Sequence, residues 1–334
     1  MATQKSSLFV LPRPGITKFS HDNPRSPISA PSEEAMTSTF GVLLPSAQYL
    51  TTPSGRIAYY VYPPSVPSPS PTPFRVLMVH GVQTPALGLH PLAEALRSRF
   101  PAAHIALLDL WGHGLSDTPQ EPHTPALFHN LLDIVLKELN WPSAHLLGFS
   151  FGGATVVGYT ASSTERAAKV ASLTLVAPAG LFRLSQFDDK ARRDYLGLEA
   201  NDEEGAKDWV LDFLEGGKLI VPDDWQQRVG RGQVVAEAVK NWEMREHKGH
   251  VASVVAIFRD GGVMDSHDAF SKVAEAGIPY LGVVGELDGV CSADDLQQVG
   301  LSNVVVVPQI GHELVRQRVA EVSQAIENFW KTLN

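Results

Sequence analysis

The chain has 334 residues, of which 44% are hydrophobic and 19% charged, and its net charge is −9 at pH 7. This composition indicates a folded core and excludes wholesale disorder. An acidic chain with no polybasic run is not typical of a nucleic-acid-binding protein. The apolar runs are shorter than the about 18 residues that a membrane span requires. Cys291, the single cysteine, excludes an internal disulfide, and no Cys/His cluster has the spacing of zinc ligands.

Residues 1–45 are rich in Ser, Pro and Thr and have no sustained periodicity. We expect them to form a mostly disordered or loosely attached arm. The first 21 residues contain Lys5, Arg13 and Lys18 and no acid, as transit peptides do, but two prolines interrupt a long amphipathic helix. No apolar stretch typical of a secretory signal follows the start, which favours a cytoplasmic location.

Two short features precede the main body of the chain. Tyr49-Leu50 and the run 56–62 flank a Thr-Pro-Ser-Gly turn, which predicts an antiparallel hairpin. Residues 63–73 contain six prolines and therefore favour extended polyproline II geometry. We interpret this segment as a surface connector, with a docking ligand for a proline-binding module as the alternative.

From Arg75 onward, short aliphatic and β-branched runs alternate with segments of helical period. Such unalternated runs are typical of a parallel sheet that is buried on both faces. We predict an α/β fold, with a mostly parallel sheet of about eight strands and helices on both faces, over residues 46–180 and 271–334. The predicted strands after the hairpin are 76–79, 105–108, 145–147, 170–176, 280–284 and 304–307, and the predicted helices are 91–99, 126–139, 152–162 and 315–333.

Residues 181–270 interrupt this alternation and are mostly helical in pattern. They hold 12 Lys/Arg and 18 Asp/Glu, so they supply −6 of the net charge of −9. We call this segment the helical insertion and expect it to form a lid over the carboxyl edge of the sheet, where open α/β sheets bind ligands. Trp209, Trp225 and Trp242 lie in the insertion and either line a substrate pocket or form the lid's own core.

The motif Gly148-Phe149-Ser150-Phe151-Gly152-Gly153 directly follows a predicted strand and opens a predicted helix. A nucleophilic serine on such a sharp turn has strained backbone angles and needs small residues two positions before and after it. The helix N-terminus would stabilise negative charge beside the serine. The alternative is a glycine-rich turn with an inert serine.

A serine needs a base to take its proton and an acid to orient that base. His312 is the only histidine after residue 267 and follows the last predicted strand. Asp288 follows the preceding strand, at the same edge of the sheet. The nearest competitor for the acid, Glu286, is expected to tie down its loop, and Asp294 and Asp295 are expected to start the next helix.

With these motifs the chain resembles the α/β hydrolases, in the lid-bearing subgroup that includes esterases, lactonases and C–C bond hydrolases. The resemblance covers about residues 47–334 and also rests on His80-Gly81, on Asp-Leu-Trp-Gly-His-Gly-Leu-Ser-Asp at 109–117, on Gly-Glu-Leu-Asp at 285–288, and on Gly311-His312. It implies that Ser150 is the nucleophile, His312 the general base and then acid, and Asp288 the orienting carboxylate. It further implies that the backbone N–H groups of Val82 and Phe151 form an oxyanion hole.

Other residues are weaker candidates. Gln83, Phe149, Trp209, Trp225 and Trp242 are candidate substrate contacts, and no arginine cluster beside the motifs indicates an anionic substrate. Phe213, Leu214, Ile257 and Phe258 could line an apolar pocket or form the core of the insertion.

Five further polar positions have a more ordinary interpretation. We expect His80 and Asp109 to be structural, with Asp109 accepting hydrogen bonds from the backbone of its glycine-rich loop. Glu246, His247 and His250 could suggest a metal cluster, but we expect them on a solvated face of the insertion.

The resemblance therefore implies a serine hydrolase that cleaves a small, fairly apolar carboxylic ester or lactone through an acyl-enzyme, without a metal or other cofactor. Hydrolysis of a C–C bond or a thioester, and hydroxynitrile lysis, remain alternatives on the same three residues. A binding protein on a hydrolase scaffold and an adaptor acting through residues 63–73 are alternatives of other classes. The expected partner is a small-molecule substrate, and the oligomeric state is left open.

Overall fold

The computed structural model describes residues 9–15, 25–68 and 73–333, and eight strands in them form one sheet. The strands are β1 (Gln48–Thr52), β2 (Gly55–Tyr62), β3 (Arg75–Val79), β4 (His104–Leu108), β5 (Ala144–Phe149), β6 (Val170–Val176), β7 (Tyr280–Gly285) and β8 (Val304–Val307). Their order in the sheet is β1-β2-β4-β3-β5-β6-β7-β8. The first two strands form an antiparallel hairpin, β2 pairs antiparallel with β4, and the other pairs are parallel. The predicted mostly parallel sheet of about eight strands is confirmed.

Helices cover both faces of this sheet. They are α1 (Glu33–Phe40), α2 (His90–Arg99), α3 (Pro125–Glu138), α4 (Phe151–Ser162), α5 (Thr164–Ala167), α6 (Glu203–Glu215), α7 (Trp225–Val229), α8 (Ala236–Glu246), α9 (His250–Asp260), α10 (His267–Glu275), α11 (Ala293–Gln298), α12 (Leu314–Gln317) and α13 (Val319–Trp330). The predicted helix 315–333 is thus two helices, because Arg318 has non-helical backbone angles. No helix of the described residues is both long and apolar enough to span a bilayer.

The strands divide their side chains between two cores, because successive residues of a strand point to opposite faces. Leu77 and Val79 of β3 pack with α3 and α4, whereas Val76 and Met78 of the same strand pack with α2 and α13. All four side chains are fully buried. Burial on both faces explains why the strands read as continuous apolar runs in the sequence.

The N-terminal region differs from the expected loose arm in the part that the structure describes. Ser32 caps α1 by accepting a hydrogen bond from Ala35 N at 3.1 Å, and Met36 and Phe40, one turn apart, are buried. Further upstream, the Arg13 guanidinium forms an ion pair with Asp260 at 2.8 Å. A single pair of apolar residues at helical spacing is too short a pattern to predict such docking from composition. Residues 1–8 and 16–24 lie outside the described part of the chain.

Residues of α8 and α9 form a buried polar cluster with the loop 109–118. His247 and His250 bond to the carbonyl oxygens of Ser116 and Gly112, at 2.8 and 2.9 Å, and both histidines are buried. Glu243 accepts the N–H of Gly114 at 3.1 Å and is fully buried. The prediction that these histidines lie on a solvated face is therefore wrong, because one side of each helix is covered by the loop.

Glu246, the third residue of that prediction, is solvent-exposed as expected. Burial raises the pKa of Glu243 well above its usual value. The glycine-rich loop thus obtains an acceptor from Glu243 and donors from His247 and His250, and these bonds fix the helical insertion to the core.

We expect Glu243→Ala to lower the free energy of unfolding by about 2 to 3 kcal/mol, because it leaves a buried backbone N–H without an acceptor. Glu243→Gln keeps the shape and an acceptor and should cost less than about 1 kcal/mol. Glu246→Ala is the matched control and should stay within about 0.5 kcal/mol of the unmodified protein. Urea unfolding measures all three, and equal stability of Glu243→Ala and Glu246→Ala would contradict this account.

Candidate active site

Ser150 lies on a sharp turn between β5 and α4. Its backbone angles are φ 54° and ψ −120°, a conformation that L-residues rarely adopt. Hydrogen bonds fix the turn, since Ser150 N donates to Val176 O at 3.1 Å and Ala179 N donates to Ser150 O at 2.9 Å. The backbone therefore projects this side chain beyond the carboxyl end of the central strand.

The glycines on both sides of the serine are required by close backbone contacts. A β-carbon on Gly148 would overlap the carbonyl oxygen of Gly152, and one on Gly152 would overlap that of Val79. These contacts are with main-chain atoms of a buried strand and helix, and displacing such atoms in a close-packed interior costs considerable free energy. The spacing predicted from the sequence thus follows from steric exclusion at this turn.

Three side chains from distant parts of the chain form a continuous series of hydrogen bonds. The Oγ of Ser150 lies 2.9 Å from Nε2 of His312, and Nδ1 of His312 lies 3.0 Å from Oδ2 of Asp288. The imidazole is 29% exposed and the carboxylate is fully buried. The carboxylate therefore holds the proton on Nδ1, so that Nε2 faces the serine hydroxyl as an acceptor.

The loops after β7 and β8 hold the carboxylate and the imidazole in place. Asp288 Oδ1 accepts the N–H of Val290 at 2.8 Å. Glu286 accepts the N–H of Gln309 at 2.8 Å and so joins the two loops, as expected from the sequence. Asp295 caps the start of α11 by accepting the N–H of Ser292 at 2.9 Å, also as expected.

The serine and the imidazole open into a cavity of about 590 Å³ between the sheet edge and the helical insertion. This volume is in the range of small-molecule sites. Val82 and Phe151 line the cavity beside the serine. Within the described residues, neither of their backbone N–H groups donates to another protein group. Both therefore remain available to a bound molecule.

The predicted substrate contacts divide into two groups. Gln83 and Phe149 line the cavity, but Trp209, Trp225 and Trp242 do not. Trp209 stacks on Phe213 with ring centroids 5.3 Å apart, and the other two tryptophans pack on Phe40 of α1 at 6.3 and 5.9 Å. Of the two interpretations left open for these tryptophans, packing within the insertion holds for Trp209, whereas Trp225 and Trp242 pack on α1. Residue type identifies a buried aromatic but not the face of a helix that it occupies.

Other aromatic and charged residues line the cavity from the insertion and from α12. Phe213, Leu214 and Phe258 do so, whereas Ile257 is part of the core. Phe182, Glu215, Glu237, Lys240 and Arg316 also line the cavity and were not predicted. Lys240 and Glu215 form an ion pair at 3.0 Å within this wall. Arg316 follows His312 by one helical turn, which is the one sequence signal that could have indicated it.

His80 and Asp109 bond to backbone groups of the neighbouring loops, as expected from the sequence. His80 Nε2 accepts the N–H of Leu110 at 2.8 Å, and burial lowers the pKa of His80 to about 4. Asp109 accepts the N–H groups of Ala86 and Leu115, both at 2.9 Å, and burial raises its pKa to about 6. Among the described residues, no group of three or more His, Cys, Asp or Glu side chains is arranged to hold a metal ion.

Comparison with known proteins gives the fold. Residues 75–213 match the family model described as the alpha/beta hydrolase fold. The chain has the α/β-hydrolase fold. No curated protein sequence matches the chain.

Solved structures with this fold cover most of the chain at low sequence identity. A hydrolase from Pseudomonas aeruginosa PA01 is 19% identical, with a TM-score of 0.61 over 85% of this chain and 98% of its own. An enol-lactonase from Burkholderia xenovorans LB400 is 16% identical, with a TM-score of 0.59 over 85% and 100%. A haloalkane dehalogenase variant from Bradyrhizobium elkanii is 17% identical, with a TM-score of 0.59 over 86% and 97%. At this identity the three relatives establish the shared fold.

We expect Gly152→Ala to lower the free energy of unfolding by about 2 kcal/mol or more, because the methyl group would meet a strand carbonyl. The control is Gly230→Ala, where the nearest atom to the added carbon is at 3.4 Å and the backbone is helical. That change should be neutral or slightly stabilising. Thermal or urea unfolding of both variants tests the prediction, which fails if the two changes are equally tolerated.

Proposed function

We propose that the protein is a serine hydrolase that cleaves a carboxylic ester or lactone through an acyl-enzyme. The observation that carries the proposal is the series of hydrogen bonds Ser150–His312–Asp288, with distances of 2.9 and 3.0 Å. A serine hydroxyl is a weak nucleophile until a neighbouring base accepts its proton. This geometry supplies the base, its orientation and a cavity at the serine.

In the first half of the reaction, Ser150 Oγ attacks the substrate carbonyl carbon while its proton passes to Nε2 of His312. Asp288 stabilises the imidazolium that forms and keeps its proton on Nδ1. The tetrahedral intermediate then collapses. The bond to the leaving oxygen breaks, and His312 returns the proton to the alcohol or, in a lactone, to the opened hydroxyl.

The negative charge of the tetrahedral intermediate falls on the former carbonyl oxygen. The N–H groups of Val82 and Phe151 are the proposed donors to this oxygen, and α4 directs its positive N-terminal end toward it. Loss of one such donor typically costs about 3 kcal/mol of transition-state stabilisation. Because the donors are main-chain groups, their side chains can vary without loss of this function.

In the second half, water takes the place of the alcohol. His312 accepts a proton from the water as it attacks the acyl carbon, and the proton then passes to Ser150 Oγ as the ester bond breaks. The free acid leaves and the serine is restored. Ser150, His312, Asp288 and water therefore supply every group that the reaction needs.

The cavity supports a small substrate with an apolar part. Phe149, Phe182, Phe213 and Phe258 contribute aromatic surface, and a volume of about 590 Å³ suits a ligand of modest size. We therefore propose esters or lactones of short or medium chains. The residues 181–270 supply much of this lining and are proposed to act as a lid.

Thioester and C–C bond hydrolysis, and hydroxynitrile lysis, use the same groups and stay as alternatives. The nucleophile position carries a hydroxyl and not the carboxylate that haloalkane dehalogenation requires. A panel of ester, thioester, ketone and cyanohydrin substrates separates these chemistries. A purely binding role on this scaffold would leave Ser150 unreactive toward every member of the panel.

Ser150→Ala should lower kcat for a cleaved ester by at least about 10³-fold, because no other side chain at the turn can form the acyl-enzyme. A fluorophosphonate probe should label the unmodified protein at residue 150 and leave the variant unlabelled. Ser98→Ala, which changes an exposed serine, is the control and should keep both properties. Unchanged ester hydrolysis in Ser150→Ala would refute the proposal.

Asp288 and Glu286 lie in the same loop after β7, so amide variants of the two residues form a matched pair. Asp288→Asn should lower kcat by about 10³- to 10⁴-fold, because an amide no longer stabilises the correct imidazole tautomer. Glu286→Gln should change kcat less than about tenfold, since the Glu286 carboxylate accepts a hydrogen bond from the backbone of Gln309 and not from His312. Steady-state kinetics on one ester compares them, and the reverse order of effects would assign the acid to Glu286.

A further inference from the structure

The cavity wall contains a guanidinium that the proposed reaction does not use. Arg316 lies on α12, one turn after His312, and its side chain is only 9% exposed. Its Cζ lies 5.7 Å from the centre of the Phe149 ring, and the same ring lies 5.2 Å from the ring of His312. The cation and the proposed catalytic imidazole therefore both lie beside one aromatic side chain.

This cation lacks the hydrogen bonds that buried arginines usually make. Nη1 of Arg316 is buried and has no hydrogen-bond partner among the residues that the structure describes. The nearest carboxylate is Glu313, whose Oε1 lies 3.7 Å from Nη2, which is too long for a hydrogen bond. Two further acids of the cavity wall, Glu215 and Glu237, face it, but Glu215 already pairs with Lys240 at 3.0 Å.

Arg13 provides a direct comparison at equal burial. Its side chain is 8% exposed, and its Nε and Nη2 donate to the two carboxylate oxygens of Asp260 at 3.0 and 2.8 Å. Arg316 has no such two-pronged pairing with any residue of the described ranges 9–15, 25–68 and 73–333. Burial lowers the pKa of Arg316, since the surrounding acids do not fully offset its desolvation.

A buried charge without hydrogen-bonded partners is costly, and a guanidinium matches a carboxylate through two parallel hydrogen bonds. Arg316 lines the cavity and has an N–H group that no described residue accepts. An anionic group of the ligand would accept it. Lys240 does not fill this role, because Glu215 already neutralises it.

We propose that Arg316 binds a carboxylate of the substrate, so that the substrate is an ester or lactone carrying a second, anionic group that lies beside Phe149. This inference rests on the proposed function. It specifies that, among short- and medium-chain esters or lactones, the substrate is one that carries a carboxylate. The anionic group belongs either to the acyl part or to the alcohol part of the substrate, and the experiment separates these two sources.

The test compares two matched pairs of substrates. For the acyl side, the pair is monoethyl adipate and ethyl hexanoate. For the alcohol side, it is 6-acetoxyhexanoate and hexyl acetate. In at least one pair, kcat/KM of the unmodified protein should favour the anionic member by about tenfold to a hundredfold. The preference should lie mainly in KM, since the contact is made equally in the bound substrate and the transition state.

Arg316→Gln should abolish this preference, and Arg316→Lys should keep part of it, because an ammonium retains the charge but not the two-pronged geometry. Arg245→Gln removes a charge from the 68% exposed Arg245 and should leave the ratio within each pair unchanged. Thermal unfolding of each variant identifies any loss of ratio that comes from misfolding. If Arg316→Gln does not fold but Arg316→Lys does, the proposal is tested on Arg316→Lys. A reduced preference for the anionic substrate supports the proposal, and an unchanged preference contradicts it.

Calorimetry provides a readout that does not depend on turnover. Adipate should bind to Ser150→Ala, and at least tenfold more weakly to the double variant with Arg316→Gln. If neutral esters are cleaved, but neither pair favours its anionic member and adipate does not bind, the carboxylate site is refuted and the proposed hydrolase stands. If no ester is cleaved, the hydrolase proposal fails, and adipate binding alone decides whether Arg316 is an anion site.

Discussion

The left-handed backbone at Ser150 determines where the glycines beside it, His312 and Asp288 must lie. With φ at 54°, the serine can be held only where Gly148 and Gly152 let β5 and α4 approach each other and the neighbouring strand β3. That strain is supported by hydrogen bonds to β6 and to the segment after it. The sheet then brings the loops after β7 and β8 to the same edge, so His312 and Asp288 reach the serine without any unusual local structure of their own.

A second constraint joins the helical insertion to this edge. Glu243, His247 and His250 satisfy the backbone of the loop 109–118 from one side, and His113 of that loop accepts the N–H of Gln83 at 3.2 Å. Since Gln83 itself has a left-handed backbone with φ of 71° and directly follows Val82, the network supports the turn that carries one proposed oxyanion donor. The buried polar groups therefore connect the helical insertion with the turn at Val82 and Gln83.

Much of the fold and the positions of the three central side chains could be predicted from the sequence, because local rules govern them. Buried parallel strands are continuous apolar runs, a strained serine needs glycines two residues away, and strand ends place Asp288 and His312 at one edge. Residues whose environment depends on distant packing could not be predicted. Trp225 and Trp242 pack on α1, and His247 becomes buried beneath a loop. Arg316 lines a cavity whose other walls come from the helical insertion and from residues 82–84. Periodicity identifies a buried face, but it does not identify what covers that face.

The most direct measurement of the central claim is the mass of the protein during turnover. A reaction with a slowly hydrolysed aryl ester, quenched in acid within the first turnover, should give a protein heavier by one acyl group. Digestion should locate the addition on the peptide that contains Ser150. Product release with unmodified Ser150 at every quench time, under conditions where deacylation is shown to be slow, would contradict the account.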